Sequence, residues 1–427
     1  MPSSPWPPSR PSWIRTRASL HRTFRLTEAA DTQCEITPAT AAWLNSLDHA
    51  SARPLANGQF LVNPGNVCGI FGNGDATFEV APKTTVRNLL ELVLYARTGL
   101  SWDPGAVRVE QDSVPLLMAE YLNQVVTEAL SAGVLKGYVA VDETSRYMRG
   151  RLRFEDQLAR RFMQPYPLEV QTTDLSPNIA ENQILSAALQ AMLRVVVSEM
   201  DERAERGVMV GRLQRTVAKL GPQSPIHGRI PTWKRTVRNR HYWEALAVAE
   251  LILEGEGQAL AAGGREGAGV IIQTWRIYEA AVARAMREKT DPALESVSAQ
   301  YVEPLASNRA DRTIRPDIVA RYPHGQLLVM DTKFKDKEPQ QADLYQSITY
   351  SRVLGVEEVV LLYAGERDPA HAVRYEIRQP EHVAGTPRES RCVVTVEYLN
   401  LNQDLEGIKQ DVWALVDKYE ARRRDVE

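Results

Sequence analysis

The sequence reads Arg315-Pro316-Asp317-Ile318 and then, after thirteen residues that separate the two aspartates, Asp331-Thr332-Lys333. The intervening residues form two short apolar stretches around Tyr322-Pro323-His324-Gly325, whose composition is typical of a turn. A hairpin folded at this turn places the two aspartates opposite each other. Because side chains alternate between the faces of a strand, the second aspartate and the lysine are predicted to share one face. The sequence therefore predicts two carboxylates and an ammonium group that converge on one point.

This combination of side chains indicates metal-assisted chemistry. Two carboxylates held close together repel each other unless a cation lies between them. A hard divalent ion such as Mg²⁺, with Mn²⁺ as a substitute, prefers carboxylate oxygen ligands. The adjacent lysine can position or deprotonate a water molecule, or stabilise charge on a phosphate. These groups together favour metal-assisted hydrolysis of a phosphodiester.

The same residues match the PD-(D/E)xK nuclease signature, a loose pattern whose alternative interpretation is a solvated Asp–Lys pair on a surface hairpin. The apolar run Leu327-Leu328-Val329-Met330 favours the nuclease interpretation, because it is typical of a buried strand. Such a strand brings Asp331 and Lys333 out of a core in which unpaired charges are unfavourable.

Two predicted helices flank the hairpin. Residues 270–288 have apolar residues at helical spacing, which form a stripe along one face of the predicted helix. Glu279 borders the stripe and is a candidate to complete a metal site or to hold Lys333, with exposure to solvent as the alternative. A second helix is predicted from Asp343, in which Gln346 and Tyr350 share a face. Gln346 is a candidate hydrogen-bond partner for a carboxylate or phosphate, with an ordinary surface role as the alternative. The apolar residues of the first helix are Ile271, Trp275, Tyr278, Val282 and Ala285.

The composition of the sequence and the motifs that it lacks exclude several classes of function. The chain has 427 residues, 44% hydrophobic and 25% charged, which is ordinary for a globular protein of two or three domains. The three cysteines have no CxxC or zinc spacing and suit a reducing, cytoplasmic compartment. There is no HExxH, GxSxG, GxGxxG or GxxxxGK[ST] motif, so this chain is expected to bind no nucleotide cofactor of its own. No apolar run is long enough to span a bilayer.

The order of predicted elements divides the chain into three parts. Residues 1–18 are predicted to be a disordered basic tail, since residues 1–27 contain five arginines and no acid. Residues 19–262 form a strand-rich and then helical region, for which we expect an α+β fold. The glycine-rich segment from Gly255 to Gly269 interrupts the helical pattern and marks the boundary near residue 262. Residues 263–427 are predicted to be an α/β domain with a mixed central sheet between helices.

Basic clusters are candidates for contact with DNA or with a protein partner. The alternative is a solvated face or pairing with acids such as Glu155 and Asp156. The first cluster comprises Arg149, Arg151 and Arg153, followed by Arg160 and Arg161; the second comprises Arg229, Lys234, Arg235, Arg238 and Arg240; Lys335 follows the hairpin.

Taken together, these features resemble the McrC family, the nuclease subunit of McrBC-type, 5-methylcytosine-specific restriction systems within the PD-(D/E)xK superfamily. The resemblance covers most of the chain. Its C-terminal part rests on Ile277-Tyr278-Glu279, Arg315-Pro316-Asp317-Ile318, Asp331-Thr332-Lys333-Phe334-Lys335 and Asp343-Leu344-Tyr345-Gln346. Its N-terminal part rests on Glu79-Val80-Ala81-Pro82-Lys83, Arg149-Gly150-Arg151, residues 178–182 and Tyr242.

The resemblance implies a function in anti-phage defence. The N-terminal region would bind and stimulate a hexameric ring of McrB-like AAA+ GTPase subunits, and the first basic cluster could meet that ring. The C-terminal region, a restriction endonuclease-like domain, would cut double-stranded, modified DNA. Two alternatives remain open, namely a non-enzymatic activator of the ring and a stand-alone nuclease.

The resemblance also assigns roles to residues. Asp317 and Asp331 would bind Mg²⁺, with the Thr332 carbonyl as a third oxygen. Lys333 would align or activate the attacking water. Glu279 would complete the metal site or hold Lys333, and Gln346 would be a supporting ligand.

Overall fold

The structure is a computed structural model that describes residues 22–99, 114–199, 204–261, 269–290, 294–334, 339–365, 373–378 and 391–424. The predicted basic tail at residues 1–18, the predicted boundary at residue 262 and the candidate contact residue Lys335 lie outside these ranges.

The part of the chain before residue 262 contains groups of strands separated by groups of helices. The strands are β1 (Arg22–Thr27), β2 (Thr32–Cys34), β3 (Ser51–Pro54), β4 (Phe60–Asn63), β5 (Val67–Gly72), β6 (Ala76–Ala81), β7 (Gly137–Ser145), β8 (Arg151–Leu152) and β9 (Leu168–Ser176). The helices are α1 (Pro38–Asn45), α2 (Val86–Thr98), α3 (Val114–Ala129), α4 (Phe154–Arg160), α5 (Ala180–Glu199), α6 (Ala204–Leu220) and α7 (Trp243–Ala261). The strand-rich start that the sequence predicts is confirmed, but the later part is not purely helical, because β7, β8 and β9 lie between α3 and α5.

The remaining part alternates strands with three long helices. The strands are β10 (Val270–Gln273), β11 (Ser296–Ala299), β12 (Glu303–Ala306), β13 (Arg309–Ile314), β14 (Ile318–Arg321), β15 (Leu327–Lys333), β16 (Glu358–Ala364), β17 (Val373–Glu376) and β18 (Val393–Leu399). The helices are α8 (Thr274–Glu288), α9 (Gln341–Leu354) and α10 (Leu405–Arg424).

The C-terminal sheet has six strands in the order β11-β14-β15-β16-β18-β17. Pairs β15–β16 and β16–β18 are parallel, whereas β11–β14, β14–β15 and β17–β18 are antiparallel. The mixed central sheet predicted for this region is thus confirmed. Strand β15 lies inside the sheet, so its apolar residues are buried on both sides, as a continuous apolar run predicts.

The predicted hairpin forms between β14 and β15. Ile318 pairs with Met330, which places the residue before the first strand opposite Asp331. The turn closes through a hydrogen bond of 2.9 Å from the Tyr322 amide to the Gln326 carbonyl, and Gly325 adopts a φ of +83°. Glycine accepts this left-handed conformation without steric strain.

The helices of both halves share one apolar core. Helix α2 begins behind Thr85, whose hydroxyl accepts a hydrogen bond of 3.1 Å from the Asn88 amide, as expected of an N-cap. Its buried residues join a cluster that runs from Leu122 and Leu189 in the N-terminal helices to Met330 in the C-terminal sheet. The C-terminal sheet is therefore built on a core to which the N-terminal helices contribute.

One sequence-based expectation for the glycine-rich segment that begins at Gly255 is wrong. Helix α7 continues through Gly255 to Ala261 instead of breaking at the glycine. A Cβ atom on Gly255 would lie 2.4 Å from the Ile271 carbonyl oxygen, so this glycine permits close packing of α7 on β10. Strand β10 pairs with β5 and completes the N-terminal sheet β1-β6-β5-β10. The division into domains stays a prediction.

The helix predicted for residues 270–288 begins later than expected. Its first four residues form β10, because they pair with β5 across more than 190 residues of sequence, and the helix starts at Thr274. Trp275, which the apolar spacing places in the buried stripe, is 38% exposed. Tyr278, Val282 and Ala285 are buried as predicted.

A small sheet in the order β7-β9-β8, together with α4, packs mainly on itself. Nine residue pairs join β7 to β9 in one continuous register. Many of its large apolar side chains are exposed. Among the described helices, none combines the length and apolar character that a membrane crossing requires.

Candidate functional site

Asp331 and Lys333 lie together at the end of β15. The carboxylate of Asp331 is 2% exposed, and its Oδ2 lies 2.5 Å from Lys333 Nζ. The prediction that these side chains share a face is confirmed. Although this pair is in ionic contact, Oδ2 accepts no well-aligned hydrogen bond from the described residues. A buried carboxylate oxygen of this kind is available to a cation.

Asp317 is fixed to the opposite strand of the hairpin. Its Oδ2 accepts hydrogen bonds of 2.7 Å from both the amide and the hydroxyl of Thr332. These contacts bring Asp317 beside Asp331, because Thr332 is the next residue along β15. The convergence of the two aspartates and the lysine, predicted from the turn and from strand alternation, is present in the structure.

Asp343 is a further acid at the site that the sequence analysis did not select. Its Oδ1 lies 3.4 Å from Lys333 Nζ, and its Oδ2 accepts a hydrogen bond of 3.2 Å from the Tyr363 hydroxyl. The side chain of Asp343 also caps α9 by accepting from the Gln340 amide, in a capping box. The Gln340-x-x-Asp343 spacing was the available sequence signal, but it indicates a helix start and says nothing about contact with Lys333.

Gln346 and Tyr350 share a face of α9, as predicted. Lys333 Nζ donates to Gln346 Oε1 at 3.3 Å, and Gln346 Nε2 donates to the Tyr350 hydroxyl at 2.5 Å. The Tyr350 hydroxyl then donates to the Arg315 carbonyl at 3.0 Å. This chain of hydrogen bonds connects the lysine to the backbone just before Asp317, so Gln346 orients Lys333.

Glu279 projects from α8 into the same region and is buried, with 6% of the residue exposed. The alternative of a solvent-exposed Glu279 is therefore wrong. Its Oε1 accepts a hydrogen bond of 2.6 Å from Gln300 Nε2. Burial is the main cause that raises the pKa of Glu279 from its ordinary value of 4.5 to about 7. The hydrogen bond from Gln300 opposes this effect, and the charges of Asp317 and Asp331 add to it.

Electrostatics at the site are dominated by negative charge. Burial, followed by the charge of Asp317, raises the pKa of Asp331 to about 6, although Lys333 opposes this effect. Burial lowers the pKa of Lys333, but the charges of Asp331, Asp343 and Asp317 outweigh it, so the pKa is raised overall. The lysine side chain is therefore protonated near neutral pH. The surrounding carboxyl groups attract a further cation to the site.

The raised carboxyl pKa values predict how stability depends on pH in the absence of divalent metal. The folded protein keeps protons on Asp331 and Glu279 up to pH values near 6 and 7, whereas the unfolded chain releases them near 4. The folded state therefore binds more protons in this window, and the free energy of unfolding is expected to fall as pH rises through it. Thermal unfolding in EDTA between pH 5 and 8 measures the effect. D331N is expected to reduce it, and an identical pH dependence in D331N would contradict the assignment.

The donor set fits a hard divalent cation in its chemistry. Asp331 is a buried carboxylate whose Oδ2 contacts the Lys333 ammonium group, and Asp317 lies close enough to raise the pKa values of both Asp331 and Glu279. Within the described ranges, no group of three or more His, Cys, Asp and Glu is arranged as a ready-made metal site. A site here would rest on the carboxylates of Asp317 and Asp331, and the contributions of Glu279 and of the Thr332 carbonyl stay predictions.

The first basic cluster is largely paired within the small sheet. Arg149 forms a bidentate ion pair with Glu143. The guanidinium of Arg153 lies 3.1 Å from the Asp142 carboxylate and 2.5 Å from the Asp156 carboxylate. Arg151 is exposed. The pairing partly matches the alternative of intramolecular ion pairs, and a contact with DNA or a partner stays a prediction.

The second basic cluster borders the helical core. Arg235 donates to the Arg97 carbonyl at 2.7 Å and lies over the ring of Trp243, while Arg238 donates to the Lys136 carbonyl at 3.1 Å. Lys234 lines a small pocket beside Arg238, and Arg240 is exposed. The structure brings neither cluster into contact with Asp331 or Lys333 through any bond among the described residues.

The fold and the buried carboxylate–lysine cluster define a mixed α/β protein whose site lies at the end of a central strand. The family described as "McrBC 5-methylcytosine restriction system component" matches residues 62–364, which is more than half of the chain. The chain belongs to this family, as the sequence analysis predicted.

One solved structure supports the fold. A chain from the refined half-complex of the tetradecameric assembly of Thermococcus gammatolerans McrB AAA+ hexamers with bound McrC is 14% identical, with a TM-score of 0.57. The match covers 92% of this chain and 100% of that chain. A chain from the cryo-EM structure of the Thermococcus gammatolerans McrBC complex is 14% identical over 62% of this chain and 87% of that chain, with a TM-score of 0.38. A search of curated proteins gave no match.

Proposed function

We propose that this chain is the DNA endonuclease subunit of a modification-dependent restriction complex that acts in anti-phage defence. The observation that carries the proposal is the convergence of Asp317, Asp331 and Lys333, with Lys333 Nζ 2.5 Å from a buried Asp331 oxygen. The six-stranded mixed sheet that presents these residues, with α8 and α9 beside it, supports a PD-(D/E)xK fold.

The proposed chemistry is hydrolysis of a DNA phosphodiester with Mg²⁺. Asp317 and Asp331 would hold the ion, with Glu279 as a further ligand, and Mn²⁺ would substitute for it. When bound, the ion would polarise the phosphate and lower the pKa of a water molecule. Lys333, oriented by Gln346 and Asp343, would align that water and offset negative charge that develops at the phosphate.

The test is a cleavage assay with modified double-stranded DNA, the partner ring and its nucleotide. Cutting is expected with Mg²⁺ or Mn²⁺ and is expected to disappear in EDTA. If the complete system, including a DNA substrate that a related complex cuts, gives no cutting with either metal, the proposal is wrong. Cutting by the isolated chain without partner or nucleotide would instead support the stand-alone nuclease.

The partner we propose is a hexameric AAA+ GTPase ring of the McrB type, because the structure with the similar fold is an assembly of McrB AAA+ hexamers with bound McrC. The small sheet β7-β9-β8 offers a surface for it. Met163 is 85% exposed, Tyr147 is 80% exposed and Phe162 is 74% exposed. Large apolar side chains that are exposed on one small sheet and its adjoining segments often mark an interface. We name this surface the apolar patch; it also contains Tyr138, Met148, Phe154 and Tyr166.

Polar substitutions in the apolar patch are expected to weaken assembly. The double variant Tyr147→Ser and Phe162→Ser should reduce association with the ring by about tenfold or more, since buried aromatic anchors often dominate interface energy. Its folding stability should change little, because both side chains are exposed. The matched control is Val302→Ser, which alters a 53% exposed apolar residue outside the sheet. Unchanged association, measured by size-exclusion chromatography and GTP turnover, would remove this sheet from the interface.

The second candidate function is a non-enzymatic activator of the ring, and the apolar patch is the observation that favours it. The two candidates separate when GTP turnover and DNA cutting are measured in parallel. Stimulated turnover without any nicking would favour the activator.

A further inference from the structure

A cleft of about 650 Å³ opens beside the catalytic candidate Lys333. Its floor is formed by the end of β15, with Thr332, Lys333 and Phe334. Its opposite wall comes from the N-terminal region, more than 240 residues earlier in the chain, and includes His49 and Lys83. Trp275, at the start of α8, completes the lining between them. The N-terminal region therefore forms part of the space that adjoins the site.

The N-terminal wall is held firmly in place. Glu28 is fully buried, contacts the Thr274 hydroxyl and accepts a hydrogen bond of 3.2 Å from the Lys83 amide. The Thr274 hydroxyl also donates to the Asn66 carbonyl at 3.2 Å. A Cβ atom on Gly65 would lie 2.0 Å from the His49 carbonyl oxygen, so two loops of the wall pack backbone against backbone there. The wall is thus fixed relative to α8 and is not a loosely attached neighbour.

The lining has the chemistry that a nucleic-acid strand requires. Trp275 is 38% exposed in the first turn of α8, and the guanidinium of Arg276 lies 5.1 Å from its ring centroid. Lys83 Nζ lies 5.8 Å from the ring centroid of Phe334, the residue after Lys333. Aromatic rings stack on bases of any sequence, and lysines in such a groove contact backbone phosphates.

The wall also carries polar atoms that lack partners. His49 Nε2 and Gln273 Oε1 are buried and have no hydrogen-bond partner among the described residues. Buried polar groups are normally satisfied, and exceptions concentrate where a ligand or water completes the network. A strand that enters the cleft would bring donors and acceptors to this wall.

We propose that the cleft binds the nucleotides next to the scissile phosphate, with Trp275 stacked on a base and Lys83 beside a backbone phosphate. This inference rests on the proposed nuclease function and adds a subsite to it. The N-terminal region then contributes to substrate binding at the active site as well as to assembly. Trp275 and Lys83 are positioning residues for the strand, and neither takes part in bond cleavage.

The test uses the full-length chain carrying D331N, so that DNA is bound and not cut. Fluorescence anisotropy with a labelled oligonucleotide is expected to show about tenfold weaker binding for W275A, because one stacked base is lost, and near-normal binding for W275F. Val373→Ala, which truncates a 37% exposed apolar side chain on β17, away from the cleft, is the matched control and should bind normally. If W275A binds like the parent, or if W275F loses as much affinity as W275A, the proposal is overturned.

Two further measurements make the result independent of one variant. Lys83→Gln is expected to lower the slope of log affinity against log salt concentration by about one, as loss of one phosphate contact does. DNA containing 5-iododeoxyuridine is expected to crosslink to Trp275, and crosslinks confined to other surfaces would overturn the proposal.

The proposed subsite at Trp275 and the proposed nuclease function are contradicted by different results. In the presence of the ring, its nucleotide and Mg²⁺, W275A on an otherwise wild-type chain is expected to raise KM while kcat changes little. Normal cutting by the wild-type chain together with an unchanged KM in W275A would remove the subsite and leave the nuclease function standing. Absence of cutting by the wild-type chain would contradict the nuclease function itself.

Discussion

Replacing Asp331 with asparagine is expected to reduce DNA cutting by about a thousandfold or more, which corresponds to several kcal/mol of lost transition-state stabilisation. Asp331 provides a buried oxygen that accepts no well-aligned hydrogen bond, beside Lys333 and next to the Asp317 anchor. The amide keeps the shape of the side chain but removes the negative charge that would hold Mg²⁺. The fold should tolerate the change, since a neutral amide is easier to bury than a carboxylate.

The measurement compares the initial rate of cutting with binding of Mg²⁺ by calorimetry. D331N should lose both, while association with the ring and stimulation of GTP turnover stay normal. The matched control is Asp311→Asn, which removes an exposed acid on β13 that pairs with its neighbour Arg312. Normal cutting by D331N in the complete system would show that the site has been assigned to the wrong residues.

Replacing Lys333 with methionine is expected to stop cutting to a similar degree, but with the opposite effect on metal binding. Lys333 contacts Asp331 at 2.5 Å and Asp343 at 3.4 Å, so its ammonium group competes with any second cation for these carboxylates. Methionine keeps an unbranched apolar chain and removes this charge. Mg²⁺ affinity should therefore be retained or increased, while the water loses the group that aligns it.

The contrast between the two variants separates a metal ligand from a group that acts on water. Calorimetry should show Mg²⁺ binding in K333M but not in D331N, and a cleavage assay should show activity in neither. Lys219→Met, an exposed lysine on α6, is the matched control for loss of charge. Loss of Mg²⁺ binding in K333M, or cutting at the normal rate, would contradict the proposed role of the lysine.

The local arrangement at the site could be predicted because it depends on residues close together in the chain. The turn at Gly325 fixes the register of the hairpin, and the alternation of side chains along β15 then places Asp331 and Lys333 on one face. Helix α9 was also predictable, together with the shared face of Gln346 and Tyr350, since helical spacing is a local property.

Contacts between segments that are distant in sequence could not be predicted from the pattern of apolar residues and glycines. Residues Val270–Gln273 have apolar spacing that suits a helix, but pairing with β5 makes them a strand. Gly255 was interpreted as a helix break, yet its lack of a side chain lets α7 approach the Ile271 backbone. In both cases tertiary packing overrides local propensity, since one chain segment supplies the hydrogen bonds or the space that another segment needs.

The chain's own residue order established the hairpin, the paired aspartates, the lysine on their face and the family to which the protein belongs. Tertiary packing decided that Asp343 reaches Lys333, that Glu279 is buried near the aspartates, and that the N-terminal wall meets Trp275 beside the site. The physical reason is the separation along the sequence over which each effect acts. Turn geometry and strand alternation act over a few residues, whereas burial, pKa and the shape of a cleft depend on which distant surfaces pack together.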